Sequence, residues 1–313
     1  MRRFFYILPL VFMAISMSCG RMAADANRDT ADIARDALSD SLRSLVAGAP
    51  GEVGIAVIFD GGRDTVSIGN DVRYPLMSVF KLHEALAVCH ELDRRGVGLD
   101  TVLHISRGEL ADDTWSPMLN RYPEGDIDVA VGELIDNILI DSDNNASNVL
   151  FERICPVSRT DSFVRSIGIE DSFKLVVTEE EMHREHDKAY MNWSSPRACA
   201  GLVDRVFRDS VVSADKQQRI IRAMKACDTG NGRLSAGLAG SRGVTFAHRT
   251  GSGYTNERGE VVAVNDIGYV ELPDGKGYSI AVLVKDYAGR QEDAEHLMAR
   301  ISAVVHNHFS SVK

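Results

Sequence analysis

Within YPLMSVFKLHEALAV, residues 74–88, an apolar run carries a serine and a lysine three positions apart, Ser78 and Lys81. On a helix, positions i and i+3 share a side, so the hydroxyl and the ammonium are neighbours. Burying an unpartnered ammonium is costly, so this lysine requires solvent or partners from elsewhere in the chain. A lysine whose pKa is lowered by burial, or which relays through a carboxylate, can take the proton of a nearby serine and leave a nucleophile. Pro75 is a helix-start signal that puts Ser78 in the first turn, where free N–H groups and the positive dipole end favour a developing anion. Alone, the S-x-x-K tetrapeptide is weak, since many helices contain one by chance.

Three further stretches could join it. Ser142-Asp143-Asn144 is a common helix-terminal or turn tripeptide. Arg249-Thr250-Gly251, inside FAHRTGSG, closes a strand. Exposed Arg-Thr on an edge strand is ordinary, but Gly251 and Gly253 let another backbone or a ligand come close. The segment TEEEMHREHDKAYMNW, residues 178–193, has little apolar periodicity, and a polar stretch of that length inside a lobe is uncommon unless it is a functional loop. Its three adjacent carboxylates, Glu179, Glu180 and Glu181, cannot all point the same way. The run HREH at 183–186 is neither H-E-x-x-H nor H-x-x-E-H, so neither metal nor cofactor is expected.

In this order, S-x-x-K, S-D-N and a basic residue followed by T-G form the signature set of class A serine β-lactamases and penicillin-binding proteins. Nearly the whole chain resembles a class A β-lactamase, through YPLMSVFK, WSP at 115–117, SDNNASN and the closing strands and helix. TEEEMH further resembles the branch of PER-type extended-spectrum enzymes and Bacteroides-type cephalosporinases. The resemblance implies hydrolysis of β-lactams, cephalosporins above all, through an acyl-enzyme on Ser78. Lys81 would hold or relay the serine proton, and Ser142 would pass one to the ring nitrogen. Asn144 would bind the substrate's side-chain amide, while Arg249 and Thr250 meet its carboxylate and keep Ser142 in place. The N–H groups of Ser78 and Ser252, beside Gly251, would form the oxyanion hole. Trp115 would line the cleft mouth, its ordinary role being an aromatic in a turn. Arg233, in GNGRLSAG, would reach the carboxylate or simply be a surface arginine.

Two departures stand out. The E-x-x-L-N motif that carries the deacylating carboxylate in the wider family is absent. The branch resemblance puts His183 in place of its asparagine, and counting four residues back selects Glu179 as general base, with Glu180 and Glu181 facing water. A histidine there donates or accepts according to tautomer, which puts the water-holding hydrogen bonds in question. Arg249 replaces the usual lysine, keeping the charge and adding a planar fork. Two other readings compete: a D,D-peptidase or transpeptidase acting on peptidoglycan, and a non-catalytic lipoprotein that binds cell-wall fragments. A loop carboxylate favours turnover over a trapped adduct, and the filled reactive positions argue against a silent binder.

The elements that must position these groups follow from periodicity. A helix over residues 29–46 puts Ile33, Leu38, Leu42 and Leu45 on one side. EVGIAVIFD and DTVSIG, joined by Gly61 and Gly62, read as a hairpin. Helical patterns then fill Pro75 to about Cys227, among them one long run from Val129 to Ile154, and the strands VTFAHRTG, VVAVNDIGYVEL and GYSIAVLVKDY follow. A last helix, about Glu292 to Phe309, turns Leu297, Ile301, Val305 and Phe309 inward. The expected fold is α+β: an antiparallel sheet built from both chain ends and flanked by terminal helices, with a mostly helical lobe inserted. The α/β lobe takes about 28–73 and 228–313, and the helical lobe about 74–227. The seam between them is the natural cleft.

The chain begins with Arg2 and Arg3 ahead of an apolar stretch too short for a stable anchor, which reads as an export signal over 1–18 with a tether over 19–27. ISMSCG is a loose lipobox, so Cys19 either carries a lipid or merely follows the cleavage site; a periplasmic enzyme, membrane-anchored in the first case, is expected. Two of the 35 basic residues and none of the 45 acidic ones precede Cys19, so the remainder carries a net charge of −12, which argues against nucleic acid and anionic membrane as partners. A small β-lactam is the expected partner and a monomer the expected state. Cys89, Cys155, Cys199 and Cys227 form no CxxC pair and no pairing can be assigned, though Cys89 falls on an apolar helix face.

Overall fold

The computed structural model describes residues 32–311 apart from 60, 61, 63, 170 and 171. The expected export signal, the tether and Cys19 lie outside these residues. A first helix, α1, covers residues 32–46. The hairpin forms as β1 (Glu52–Phe59) and β2 (Asp64–Ile68), with Ile55 opposite Ile68 and Phe59 opposite Asp64. The later strands are β8 (Thr245–Ser252), β9 (Val261–Glu271) and β10 (Gly277–Tyr287). They join the hairpin in one antiparallel sheet of order β2-β1-β10-β9-β8. Both ends of the chain therefore build one sheet, with β8 at its edge.

Period-2 alternation decides which core each strand residue enters. Ile55, Val57, Ile280, Val282 and Val284 face α1 and the closing helix α11 (Gln291–Ser311), where Leu38, Leu42, Ile301 and Val305 are buried. Ala56, Ala281 and Leu283 face the opposite way, into a larger core shared with the helical elements. Ile33 departs from expectation. It is 68 % exposed, near the start of α1.

The inserted elements begin with β3 (Tyr74–Pro75), which leads through a 3-10 turn at Met77–Val79 into α2 (Phe80–Arg95). α2 is buried on nearly all sides, as expected of a helix at the centre of a lobe. Two short strands, β4 (Val102–Ile105) and β5 (Ile127–Ala130), pair beside it, with α3 (Pro117–Arg121) between them in sequence. The long helix expected over 129–154 is broken. It divides into β5, α4 (Val131–Asp136), a π-helical stretch at Asn137–Asp141 and α5 (Asn144–Arg153). Ile138 and Leu139 are buried, so the apolar signal runs through the break unchanged. α6 (Val157–Ser166) and β6 (Phe173–Lys174) follow. The polar stretch 178–193 is not structureless: it holds α7 (Glu179–Arg184) and a 3-10 helix at His186–Met191 before β7 (Trp193–Ser194). α8 (Pro196–Arg208), α9 (Ala214–Lys225) and the single turn α10 (Leu234–Gly237) return the chain to β8. Among the described residues no helix is long and apolar enough to cross a membrane.

Candidate active site

Ser78 sits in the 3-10 turn ahead of α2 rather than in the α-helix itself. Met77, just before it, has φ 46°, a left-handed conformation that costs a non-glycine residue roughly 1–3 kcal/mol unless its surroundings fix it. They do. Asn265 of β9 donates through Nδ2 to Pro75 O at 2.7 Å and Leu76 O at 3.1 Å, while its Oδ1 accepts from Val284 N. The turn is thereby tied to the sheet. β8 also comes close: a Cβ on Gly251 would lie 2.5 Å from Leu76 O and 3.1 Å from Val79 N, so only glycine lets this strand meet the turn.

Lys81 is fully buried and answers its desolvation with partners from three elements. Its Nζ donates to Asn144 Oδ1 at 2.6 Å, Ser142 O at 2.9 Å and Ser78 Oγ at 3.1 Å, and lies 2.8 Å from Glu179 Oε1. Burial holds its pKa below the ordinary lysine value; the Glu179 charge opposes that shift and the Arg249 charge adds to it. Ser78 Oγ donates to Glu179 Oε1 at 2.8 Å. The serine proton therefore faces the Glu179 carboxylate while the serine oxygen accepts from Lys81, the geometry of an activated nucleophile.

Glu179 opens α7, whose start is fixed by a capping box. Thr178 Oγ1 accepts from Glu181 N at 3.2 Å, and Glu181 Oε2 accepts from Thr178 N at 2.8 Å. Asn192 clamps the segment just ahead of α7, its Oδ1 accepting from Val176 N at 2.8 Å and Val177 N at 3.1 Å. Glu180 is exposed and paired with Arg184. Glu181 is half-buried in the cap and does not simply face water.

The S-D-N residues occupy three different geometries. Ser142 has φ 63° at the end of the π-helical stretch, with Oγ 3.5 Å from Lys81 Nζ. Asp143 N-caps α5 by accepting from Ala146 N at 2.9 Å, and it also takes Ser116 Oγ and Met118 N. Asn144 Nδ2 donates to Thr114 Oγ1 at 2.9 Å. Trp115 ties the same corner: its carbonyl accepts from Asn144 N, its Nε1 donates to Asp141 O, and its ring is 62 % exposed.

Arg249 is fully buried. It donates through Nε to Ser78 O at 2.9 Å and through Nη2 to Ser142 Oγ. Thr250 and Ser252 line the cavity beside it. Arg233 is not a surface residue. It is buried under β8 and donates to Glu295 Oε1, Gly251 O, Asn265 O and Ser252 Oγ. His183 lies at the cavity wall, with Nε2 3.2 Å from Asp113 Oδ2. The cavity, about 430 Å³, also takes in His186 and Tyr254, whose rings stack at 4.3 Å. Sequence reasoning passed over Asn265, Thr114, Thr229 and Tyr254, which carry no motif. Asp143 stood inside one, and its capping position was the available signal. Among the described residues no cluster of His, Cys, Asp and Glu is arranged to hold a metal ion.

Residues 37–309 match the family described as "Beta-lactamase enzyme family". The chain belongs to that family. It is 44 % identical over 270 residues to a β-lactamase of Phocaeicola vulgatus, covering 86 % of this chain and 84 % of that one. It is 29 % identical to the extended-spectrum β-lactamase PER-1 of Pseudomonas aeruginosa, covering 85 % of each. Among solved structures, a representative class A β-lactamase of Bacteroides cellulosilyticus superposes with a TM-score of 0.84 at 29 % identity, covering 89 % of this chain and 99 % of that one. The α+β fold is thus that of the class A β-lactamases, and this member is a serine hydrolase of β-lactam antibiotics, the chemistry of antibiotic resistance. The resemblance to the PER and Bacteroides-type branch, drawn from TEEEMH, agrees with these relatives.

Proposed function

We propose that this β-lactamase works through an acyl-enzyme on Ser78, with Glu179 as the base for its hydrolysis, and that it favours cephalosporins. The observation that carries the reading is the position of Ser78 Oγ, 2.8 Å from Glu179 Oε1 and 3.1 Å from Lys81 Nζ beside an open cavity. In acylation Ser78 Oγ attacks the lactam carbonyl carbon and its proton passes to the Glu179–Lys81 pair. The N–H groups of Ser78 and Ser252 hold the oxyanion. The C–N bond then breaks, and Ser142 gives its proton to the ring nitrogen and is resupplied from Lys81. In deacylation Glu179 takes a proton from water, the hydroxide adds to the ester carbonyl, and Ser78 leaves with a returned proton. Asn144, Thr250 and the Arg249 charge orient the side-chain amide and the carboxylate, and Trp115 and His183 border the entrance. Arg233 serves indirectly, by holding Ser252.

The test is turnover of a chromogenic cephalosporin and of benzylpenicillin by wild type and Ser78→Ala. Wild type is expected to show the higher kcat/KM for the cephalosporin. The variant is expected to show neither turnover nor a mass adduct with a slow β-lactam. An adduct on the variant overturns the nucleophile, a stable wild-type adduct without turnover favours the peptidase reading, and a penicillin preference overturns the specificity. We further infer export with cleavage before Cys19, residues 28–313 as a monomeric catalytic domain, and a lipid on Cys19. Detergent partitioning of wild type against Cys19→Ser tests the lipid, and equal solubility removes it.

A further inference from the structure

Successive residues of a strand point to opposite faces of its sheet. In β9, Ala263 and Ile267 enter the larger core, while Val264 and Val270 enter the core under α11. Asn265 and Asp266 divide in the same way. Asn265 holds the turn that carries Ser78. Asp266, on the other face, has no part in the mechanism above. It is fully buried and both of its oxygens are engaged. His248 of β8 donates through Nδ1 to Asp266 Oδ1 at 2.9 Å, and Leu234 N donates to Oδ2 at 3.2 Å. A carboxylate only accepts, which puts a proton on His248 Nδ1. The imidazole is buried too, stacked on Phe246 with ring centres 4.6 Å apart.

Leu234 opens α10, and the residue before it is Arg233. The peptide that Asp266 grips is therefore the one that leads out of Arg233. The Arg233 guanidinium reaches Glu295 Oε1 at 3.1 Å, Gly251 O at 3.1 Å, Asn265 O at 2.8 Å and Ser252 Oγ at 2.6 Å. A four-residue turn such as α10 does not hold its own start. β8 ends the sheet, so its outer side receives no ladder hydrogen bonds and its far end depends on contacts of this kind.

We propose that Asp266 is a positioning residue of this enzyme: joined to His248 and gripping the Leu234 N–H, it sets Arg233 under β8 and, through Arg233, the place of Ser252. The proposal rests on the oxyanion role given above to Ser252. On that reading one strand serves both donors of the oxyanion hole from its two faces. Asn265 holds the turn of Ser78, and Asp266 holds Ser252 by way of Arg233. Such donors act by being aimed before the charge develops, so a small displacement costs rate. Without the carboxylate, the Leu234 and His248 N–H groups are buried with no acceptor. The turn then shifts to satisfy them, and Arg233 shifts with it.

The experiment compares wild type with Asp266→Asn, Arg233→Ala and the double variant on one cephalosporin, with melting temperature recorded for each. Asn keeps the size of Asp but offers a single acceptor oxygen where two are used. Each single variant is expected to lose kcat/KM on the order of ten-fold, below the roughly 10²–10³-fold cost of deleting an oxyanion donor outright. The double variant is expected to lose no more than the worse single one, because both residues act along one chain of contacts. A merely structural aspartate would lower the melting temperature and add its loss independently. Losses that multiply in the double variant overturn the proposal, as does activity lost in only one of the two single variants. If Asp266→Asn does not fold, His248→Ala and His248→Asn take its place in the cycle. The Asn amide can still donate to Asp266, so it is expected to recover most of what the Ala variant loses, and equal activity in the two overturns the proposal. A readout without substrate separates this from the oxyanion reading. The buried Arg233 Nε–H gives a proton NMR signal, assigned by its absence in Arg233→Ala. Asp266→Asn, or His248→Ala in its place, is expected to shift that signal and speed its exchange with solvent, and an unmoved signal overturns the proposal. If the signal moves while every variant keeps wild-type kcat/KM, the role given to Ser252 fails instead.

Discussion

Replacing Glu179 by glutamine separates the two halves of the reaction. The side chain keeps its shape and can still accept from Ser78 Oγ, now 2.8 Å away, but it no longer takes a proton. A positioned general base contributes about 10²–10⁴ in rate, so hydrolysis of the adduct should slow by that factor, equivalent to roughly 3–5 kcal/mol on its barrier. Acylation should suffer less. Lys81 loses the carboxylate 2.8 Å from its Nζ, and a buried ammonium without its counter-ion favours the neutral amine, which is itself a base. Burial already pushes Lys81 in that direction. The expected result is a persistent acyl-enzyme by intact-protein mass spectrometry after brief exposure to a good cephalosporin, with steady-state turnover lowered to match. Glu180→Gln removes an exposed partner of Arg184, and Glu181→Gln keeps a capping oxygen, so both should turn over nearly as wild type. An adduct on Glu180→Gln or Glu181→Gln but not on Glu179→Gln refutes the register read from His183. Absence of an adduct in all three refutes a loop-borne base.

Two further outcomes follow from buried groups near the site. Gly251→Ala should lower acylation by Ser78 and the melting temperature together, since its Cβ would lie 2.5 Å from Leu76 O; unchanged burst kinetics would show that β8 can retreat without cost. Glu84 is fully buried and its carboxyl pKa is pushed well above the ordinary range by burial, against the opposing Ser147 hydrogen bond and Lys81 charge. The folded state thus keeps a proton that the unfolded chain releases above its own pKa, so this group costs stability as pH rises, at up to about 1.4 kcal/mol per pH unit. Denaturant titrations should show Glu84→Gln with a flatter stability curve between the unfolded carboxyl pKa and neutral pH, and parallel curves would count against the protonated carboxyl.

What could be read from the sequence was whatever is carried by spacing. Ser78 and Lys81 are three positions apart on one face, whereas Asn144 and Glu179 were named only through the family resemblance, and the fold brings both to Lys81. The sheet was equally legible, because residues 53–57 of β1 and 280–284 of β10 alternate between two cores. The break in the 129–154 run was not, because Ile138 and Leu139 stay buried whether the turn is α or π. The left-handed Ser142 is the product of that break, and no residue type announces it. Arg233 stayed open between a substrate contact and the surface because carbonyls of β8 and β9, which have no sequence signature, are among its partners.

The turn of the proposed nucleophile and the basic strand are tied by Asn265 and by the closeness allowed at Gly251. Glu179 opens a six-residue helix held at its start by a threonine cap, with the amide of Asn192 clamping the segment just before it. On the roles proposed above, capture and release are therefore mounted on separate supports. Substitutions that loosen the cap or the amide clamp should lengthen the lifetime of the trapped drug while leaving its capture intact. In this architecture the loop acts as a timer, and its setting can drift in evolution without reopening the question of whether the antibiotic is caught at all.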